Sequence, residues 1–172
     1  VEHGWGLQGE SWQVLSALEA LSASTWFQLG DRDLATHMER TRLLKAGWSL
    51  SQVTEHFCRL WGVPSQVLPM SDQAFRTLIR TQMGELLAFQ EYFVRERCEP
   101  AVAEIIFQHA EGISPAPQVL ISIEAADLVV ICPSNPWVSI DPILALPGIV
   151  PALKKKLVIA VSPIIQGKTV KG

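Results

Sequence analysis

The chain has 172 residues, of which 48% are hydrophobic and 18% charged, with a formal net charge of −3. This length suits one domain with a real core, and the near-neutral charge predicts no nucleic-acid partner. No apolar run approaches the roughly 18 residues of a membrane helix, so no membrane segment is predicted. The three cysteines form no Cys-x-x-Cys pair, which argues against a zinc site or a disulfide framework. Reduced cysteines and the lack of a secretory signal predict a cytoplasmic protein.

The first part of the chain is predicted to be mainly helical. Apolar residues recur at helical spacing over residues 10–21, and a short β-prone run covers residues 25–29. A Gly-Asp-Arg-Asp turn then precedes a helix over residues 34–46, with Asp31 placed to cap it. Ser49 is placed to cap the next helix.

The rest of the chain alternates between strands and helices. Residues 66–68 predict a short strand, Phe75–Thr81 a half-exposed antiparallel strand, and residues 86–97 a helix. From Val102 onward, the pattern predicts a strand, a helix opened by Ser114-Pro115, a buried strand, two short helices and a last buried strand. The strands cover 102–108, Leu128–Ile131 and 157–161, and the short helices cover 140–146 and 149–155. This alternation is typical of a parallel βαβ arrangement.

We therefore predict an α/β fold with a Rossmann-like, mostly parallel sheet, helices on both faces and a mixed helical and strand insertion. Residues 1–30 and 100–172 form parts of the core, and residues 31–99 form the insertion, which lines the cleft. The chain starts in loop-like sequence without a methionine and stops just after a strand. We therefore expect an incomplete domain, an internal piece of a longer protein.

Three loops that follow predicted strands carry polar residues: 30–33, 132–136 and 162–165. The carboxyl ends of parallel strands meet at one edge of a sheet, where ligands bind, so Ser134 and Asn135 lie where a site is expected. Small hydroxyls, an amide and helix N-termini at this edge suit phosphate groups. A plain strand-to-helix connection is the alternative interpretation.

Asp31 and Asp33, separated by Arg32, are candidate ligands for a hard cation such as Mg²⁺, which shares oxygen ligands with phosphate groups. The alternatives are N-capping of the following helix by Asp31 and interaction of Asp33 with the helix dipole. No Gly-x-Ser-x-Gly elbow is present, which disfavours covalent catalysis. Residue chemistry alone predicts an α/β domain that binds a nucleotide or a phosphate ester.

Seven spaced motifs extend over nearly the whole chain. They are GWGLQGESW from Gly4, WFQLGDRDLATH from Trp26, LPMSD from Leu68, FQEYFVRER from Phe89, SPAPQVL from Ser114, PSNPWVSIDPILALPGI from Pro133 and AVSPIIQGKTVKG from Ala160. With these motifs in this order, the chain resembles the 2-phospho-L-lactate transferase family (CofD).

The resemblance implies an enzyme of coenzyme F-420 biosynthesis. Family members transfer a phospholactyl or phosphoenolpyruvyl group from a guanosine diphosphate-linked donor to the ribityl hydroxyl of the deazaflavin Fo. GMP leaves, Mg²⁺ is required, and no protein nucleophile is needed. The resemblance also implies a homodimer for the full-length protein. The alternative is a non-catalytic regulator of the same fold, which would bind a nucleotide sugar and ignore Fo.

The resemblance also implies roles for individual residues. Gln28 stands where the family often has a basic residue associated with the deazaflavin. Residues that match motifs lining the donor and nucleotide cleft are Gly30, Asp31, Arg32, Asp33, Ser134, Asn135, Ser139 and Ser162. Cys132 and Gln166 replace glycines that are common in the family. The glycine-rich loop that opens family chains does not precede Val1, and a C-terminal portion does not follow Gly172, so we expect this segment alone to be inactive.

Overall fold

A computed structural model describes residues 9–109 and 112–166. The start of the first motif and the end of the last motif therefore lie outside the described residues. The helices are α1 (Gln13–Ala20), α2 (Asp31–Lys45), α3 (Leu50–Leu60), α4 (Val119–Ala125), α5 (Asp141–Leu144) and α6 (Ile149–Leu153). The strands are β1 (Phe75–Thr81), β2 (Leu86–Ala88), β3 (Val102–His109), β4 (Leu128–Ile131) and β5 (Leu157–Ala160). Two π-helical turns cover Glu91–Arg95 and Pro136–Ile140.

The strands form two sheets of opposite character. One is antiparallel, with the order β2-β1-β3 and Ile79 opposite both Leu87 and Ile105. The other is the parallel pair β4-β5, with Val129 opposite Val158. The predicted α/β fold, with a parallel sheet and a mixed helical and strand part, is confirmed.

The strand that begins at Val102 does not open the parallel alternation, so that prediction is wrong. β3 pairs antiparallel with β1 along its length, from Phe75 opposite His109 to Thr81 opposite Val102. A run of apolar residues predicts a strand but does not say which strand it will pair with. Here the partner is the 75–88 hairpin, which turns at Gly84 with φ of +89°.

Four further local predictions are corrected by the structure. Residues 25–29 and 66–68 are not strands; in the first segment Trp26 packs edge-on against Phe27 at 5.5 Å instead of joining a sheet. Residues 86–97 divide into β2 and a π-helical turn, because Leu86 to Ala88 pair with β1. Ser114-Pro115 does not open a helix, since α4 begins only at Val119, after Gln118 with φ of +61°.

Helix α3 begins as its sequence predicts. The Ser49 hydroxyl accepts a hydrogen bond from the Gln52 backbone N–H at 3.2 Å, and the Gln52 side chain accepts one from the Ser49 N–H at 2.8 Å. This reciprocal pair is a capping box, and it satisfies two N–H groups that the helix itself leaves unpaired.

The apolar core of the second half packs α4 against α6. Ile113, Leu146 and Ile149 are buried together, and side chains from α4 and α6 pack around them. Gly148 has φ of +82°, and a Cβ there would lie 3.2 Å from a Leu120 methyl carbon. A side chain at this position would therefore strain the backbone and crowd the contact between α4 and α6.

The parallel pair is more exposed than its sequence predicts. Val130 on β4 is 51% exposed and Leu157 on β5 is 67% exposed, so the prediction that both strands are buried does not hold for the described residues. Within those residues the parallel sheet consists of β4 and β5 alone. Parallel sheets are normally covered on both faces, and these exposed side chains depart from that rule. In the described part of the chain, no helix has the length and apolar character needed to cross a membrane.

Ile149→Ala is expected to lower the free energy of unfolding by about 2–5 kcal/mol, because it removes buried methyl groups and leaves a cavity in the core. Met83→Ala is the matched control, since Met83 is 89% exposed, and we expect a change within about 0.5 kcal/mol. Urea denaturation of both variants measures the difference. Equal losses would contradict the assignment of Ile149 to the core.

Candidate functional site

The two parallel strands bring one group of predicted site residues to a common edge. β4 and β5 run side by side in register, and the Val161 N–H donates to the Ile131 carbonyl at 3.0 Å just beyond them. The loops that carry Ser134, Asn135 and Ser162 therefore leave the sheet at the same end. This is the arrangement in which open α/β sheets bind ligands.

Asn135 organises the turn after β4. Its side-chain oxygen accepts hydrogen bonds from the backbone N–H groups of Trp137 at 3.0 Å and Val138 at 3.3 Å. Its carbonyl accepts from the Ser139 N–H at 3.0 Å. Asn135 is thus the N-cap of the π-helical turn that follows. Ser134 and Ser139 are half-buried beside it.

The loop after β5 is also held by its own side chain. The Ile164 N–H donates to the exposed Ser162 hydroxyl oxygen at 3.1 Å. Gln166, a few residues later, has φ of +53°, in the left-handed region that favours glycine. The common glycine that Gln166 replaces therefore suits the backbone here. Cys132, the other departure, is an exposed free thiol after β4.

Asp31 lies in a second group, at the start of α2. The N-cap of α2 is Gly30 and Asp31 is its first residue, so the prediction that Asp31 caps its own helix is wrong. Its carboxylate instead accepts hydrogen bonds from the Ser11 hydroxyl at 2.7 Å, the Gln13 N–H at 3.1 Å and the Val14 N–H at 3.0 Å. Because the last two donors open α1, Asp31 caps a different helix.

These contacts favour the ionised carboxylate. The hydrogen bond from Ser11 contributes most, followed by the one from the Val14 N–H, and together they lower the pKa of Asp31 below its ordinary value of 3.8. The N-terminal turn of α1 also carries partial positive charge, which suits an anion. Asp31 therefore bears a negative charge at neutral pH that is directed at α1.

The remaining residues predicted in this group lie around the same turn. Arg32 is exposed, and its backbone N–H donates to the Glu10 carboxylate at 2.8 Å. Asp33 is half-buried in the first turn of α2. Gln28 is exposed in the preceding loop, where the ring of Trp26 lies 5.8 Å from the Arg95 guanidinium.

The predicted site residues thus form two groups, one at the start of α2 and one at the carboxyl edge of β4-β5. Glu10 and Ser11, which hold the first group, were not among the predicted site residues. Both lie in the GWGLQGESW motif and at the start of the helical segment predicted over residues 10–21, and these were the signals that could have pointed to them.

A cavity of about 630 Å³ lies between α3, the following loop and the start of α4, and no sequence motif predicted it. Its polar lining comes from a carboxylate, a guanidinium, two hydroxyls and two amides: Glu55, Arg59, Ser51, Ser65, Gln66 and Gln118. None of the predicted site residues lines it. Its walls come from segments about 50 residues apart, so no local pattern predicts it.

Comparisons with known proteins agree with the sequence motifs. A sequence model of the family described as 2-phospho-L-lactate transferase CofD matches residues 10–172. A phosphoenolpyruvate transferase from Kitasatospora aureofaciens is 43% identical over 177 residues, which is 99% of this chain and 55% of that protein. Phosphoenolpyruvate transferases from Mycolicibacterium smegmatis and Thermobifida fusca are each 42% identical, over 99% of this chain and 55% and 54% of theirs. The chain therefore spans about 55% of the length of the curated relatives it matches.

Solved structures are similar in fold. The crystal structure of a upf0052-family protein from Bacillus halodurans matches with a TM-score of 0.58 and 19% identity, covering 77% of this chain and 41% of that chain. At this level of identity, the likeness is one of fold.

Asp31→Asn is expected to lower the free energy of unfolding at neutral pH and to lose this effect in acid. Because hydrogen bonds lower the pKa of Asp31 in the folded state, its contribution is present above the ordinary carboxyl pKa and is lost as the pH falls through the folded value. Urea denaturation at pH 7 and pH 3 measures the two differences from wild type. A difference that is equal at both pH values, or larger at pH 3, would contradict the cap.

Proposed function

The chain belongs to the 2-phospho-L-lactate transferase CofD family of coenzyme F-420 biosynthesis, and on this premise we propose that it carries the donor-binding part of a phosphoenolpyruvyl or phospholactyl transferase. The acceptor is the deazaflavin Fo, the donor is a guanosine diphosphate-linked three-carbon phosphate, and GMP is released. The observation that carries the proposal is the common edge of β4 and β5, where polar turns leave two adjacent parallel strands.

The residues at this edge suit the phosphate groups of such a donor. Ser134, Ser139 and Ser162 offer hydroxyl groups, and the Asn135 amide can donate from its nitrogen while its oxygen caps the turn. In the other group of predicted site residues, at the start of α2, Arg32 has an exposed side chain whose guanidinium is proposed to neutralise phosphate charge. Gly30 lets the Glu10 side chain approach the backbone of this turn closely.

The proposed reaction is attack of the ribityl hydroxyl oxygen of Fo on phosphorus, with GMP as the leaving group. A phosphodiester bond forms, a phosphoanhydride bond breaks, and the hydroxyl proton goes to solvent. Catalysis of this kind comes mainly from positioning and charge neutralisation, so no residue of the chain is assigned as catalytic. Gln28 contacts the deazaflavin in this proposal, beside the exposed rings of Trp26 and Phe27.

The phosphoenolpyruvyl donor is the one we favour. The relatives that are 42% to 43% identical to this chain are named phosphoenolpyruvate transferases. Because the chain covers about 55% of their length, we also propose that transfer needs polypeptide that those relatives have outside the matched stretch. The full-length protein is proposed to be a cytoplasmic homodimer that acts on small molecules.

Magnesium is proposed because of the family resemblance. Of its two predicted ligands, Asp33 suits the ion better than Asp31 does. In residues 9–109 and 112–166, no three His, Cys, Asp or Glu side chains are grouped to hold a metal ion. Three donors already engage the Asp31 carboxylate. Asp33 remains the proposed contact, and Mg²⁺ bound through one carboxylate and substrate phosphates is a common arrangement.

A chimera tests the proposed reaction. It replaces the matched stretch of the Kitasatospora aureofaciens relative with this chain, and it is incubated with Fo, Mg²⁺ and either guanylylated donor. We expect GMP release by the chimera, faster with the phosphoenolpyruvyl donor, and none by the chain alone. Chromatography with mass detection measures GMP and the phosphodiester product.

Two outcomes would overturn this proposal. A chimera that folds, as judged by circular dichroism, yet releases no GMP from either donor would exclude transfer. A chimera that binds a UDP-sugar but not Fo by calorimetry would support the regulator of the same fold instead.

Asn135→Asp tests the donor contact through charge. An aspartate can still cap the π-helical turn, but its negative charge opposes a phosphate, so we expect donor affinity to fall at least about tenfold, or about 1.4 kcal/mol. Asn135→Ser is the matched control, because serine also caps, is neutral and keeps a hydroxyl donor, and it should bind the donor more tightly than Asn135→Asp does. Calorimetry on the chimera measures both. Equal donor affinities for the two variants would show that the donor does not contact this turn.

A further inference from the structure

We infer that Glu10 and Asp31 are reciprocal positioning residues that clamp the first turn of α2 to the first turn of α1, and that Asp31 is not a cation ligand. The inference rests on the proposed function only in so far as the clamped turn contacts the donor. We call Glu10, Ser11, Gly30, Asp31 and Arg32 the clamp.

The Asp31 half of the clamp uses most of its carboxylate. One oxygen accepts from the Ser11 hydroxyl and the Gln13 N–H, and the other accepts from the Val14 N–H. A carboxylate has about four lone-pair sites, so three are occupied. A cation bound to the fourth would also face the positive end of the α1 dipole. Both effects oppose metal binding at Asp31.

The Glu10 half has the same arrangement with the two helices exchanged. One Glu10 carboxylate oxygen accepts from the Arg32 N–H at 2.8 Å and from the Ser11 N–H at 3.1 Å. Arg32 is the second residue of α2, whose N-cap, Gly30, has no side chain to offer. Glu10 therefore supplies the missing cap of α2, as Asp31 supplies that of α1. A backbone bond from the Asp31 N–H to the Ser11 carbonyl, at 2.9 Å, joins the two halves.

The glycine of the Gly-Asp-Arg-Asp turn is explained by the same contact. Gly30 has φ of −71°, a value that any residue adopts, so its backbone conformation does not require glycine. A Cβ at position 30 would lie 2.1 Å from both the Cγ and the carboxyl carbon of Glu10. Glycine is needed because the Glu10 side chain occupies the space, and any larger residue would expel the carboxylate.

The clamp determines where the first turn of α2 points. Arg32 and Asp33 follow Gly30 directly, and both halves of the clamp act on the backbone that carries them. The second Glu10 oxygen is buried without a partner among the described residues, which is unfavourable for a carboxylate. A glutamine at position 10 keeps an acceptor for the Ser11 and Arg32 N–H groups but carries no charge. This variant therefore distinguishes the effect of the hydrogen bonds from the effect of the charge.

Amide hydrogen exchange, measured by NMR on the chain itself, tests the two halves separately. We expect Asp31→Ala to speed exchange of the Gln13 and Val14 amides at least about tenfold, because their acceptor is gone. Glu10→Ala and Gly30→Ala should do the same to the Arg32 amide, and Glu10→Gln should restore its protection. Glu19→Ala, at the other end of α1, is the control. Unchanged exchange in the variants would overturn the clamp.

A manganese titration of the same samples tests the statement about the cation. Mn²⁺ is a paramagnetic substitute for Mg²⁺ that broadens signals near its binding site. We expect the Gln13 and Val14 amide signals to broaden no more in wild type than in Asp31→Ala. Selective broadening of these two amides that Asp31→Ala abolishes would make Asp31 a ligand and overturn this part of the inference.

Donor kinetics in the chimera test positioning beyond stability. Glu10→Ala is expected to raise the donor KM at least about fivefold, with the Mg²⁺ concentration for half-maximal rate unchanged, and Glu10→Gln is expected to restore the KM. A Glu10→Ala enzyme with wild-type KM would leave the clamp with a structural role only and overturn positioning. Neither the exchange nor the manganese measurement depends on transfer, so failure of the proposed reaction would be recognised separately.

Discussion

The hydrogen bonds that the Asp31 carboxylate accepts from the start of α1 determine how the first third of the chain is arranged. An α-helix leaves its first N–H groups without partners, and α1 has no capping side chain of its own at Trp12. The acceptor comes from a residue 17 or more positions further along the chain. The loop between the helices is thereby closed, and the Gly-Asp-Arg-Asp turn is held from outside rather than by its own residues.

In the second half of the chain, the polar turns are positioned by apolar packing and backbone pairing and not by side-chain capping across the chain. Apolar packing of Ile113, Leu146 and Ile149 holds α4 and α6 together, and backbone hydrogen bonds hold β4 beside β5. The two polar turns then share an edge because the strands are parallel. Asn135 and Ser162 each accept a backbone N–H within their own loops. This group is ordered locally, whereas the group at α2 depends on contacts across about 20 residues.

This difference explains how much could be predicted from the sequence. The cap at Ser49 and the alternating strand at Phe75–Thr81 were predicted correctly, because both depend on neighbours within a few positions. Asp31 was predicted to cap α2 and instead caps α1, because local rules favour the nearest N-terminus. The pairing of β3 with β1 and the cavity beside α3 join distant segments, and neither periodicity nor composition records such partners. The motifs did identify the family, since they depend on similarity rather than on packing.

Because of the steric contact between Gly30 and Glu10, the residue types at positions 10 and 30 are expected to vary together among related chains. With glutamate at position 10, a side chain at position 30 would meet the carboxyl group, so a Cβ at position 30 and the Glu10 cap of α2 exclude each other. A shorter residue at position 10 would free the space and remove the α2 cap in the same step. Covariation between these positions, rather than invariance of the glycine alone, is therefore the pattern that the packing imposes on related chains. A relative with a Cβ at position 30 would have to cap its α2 by another route.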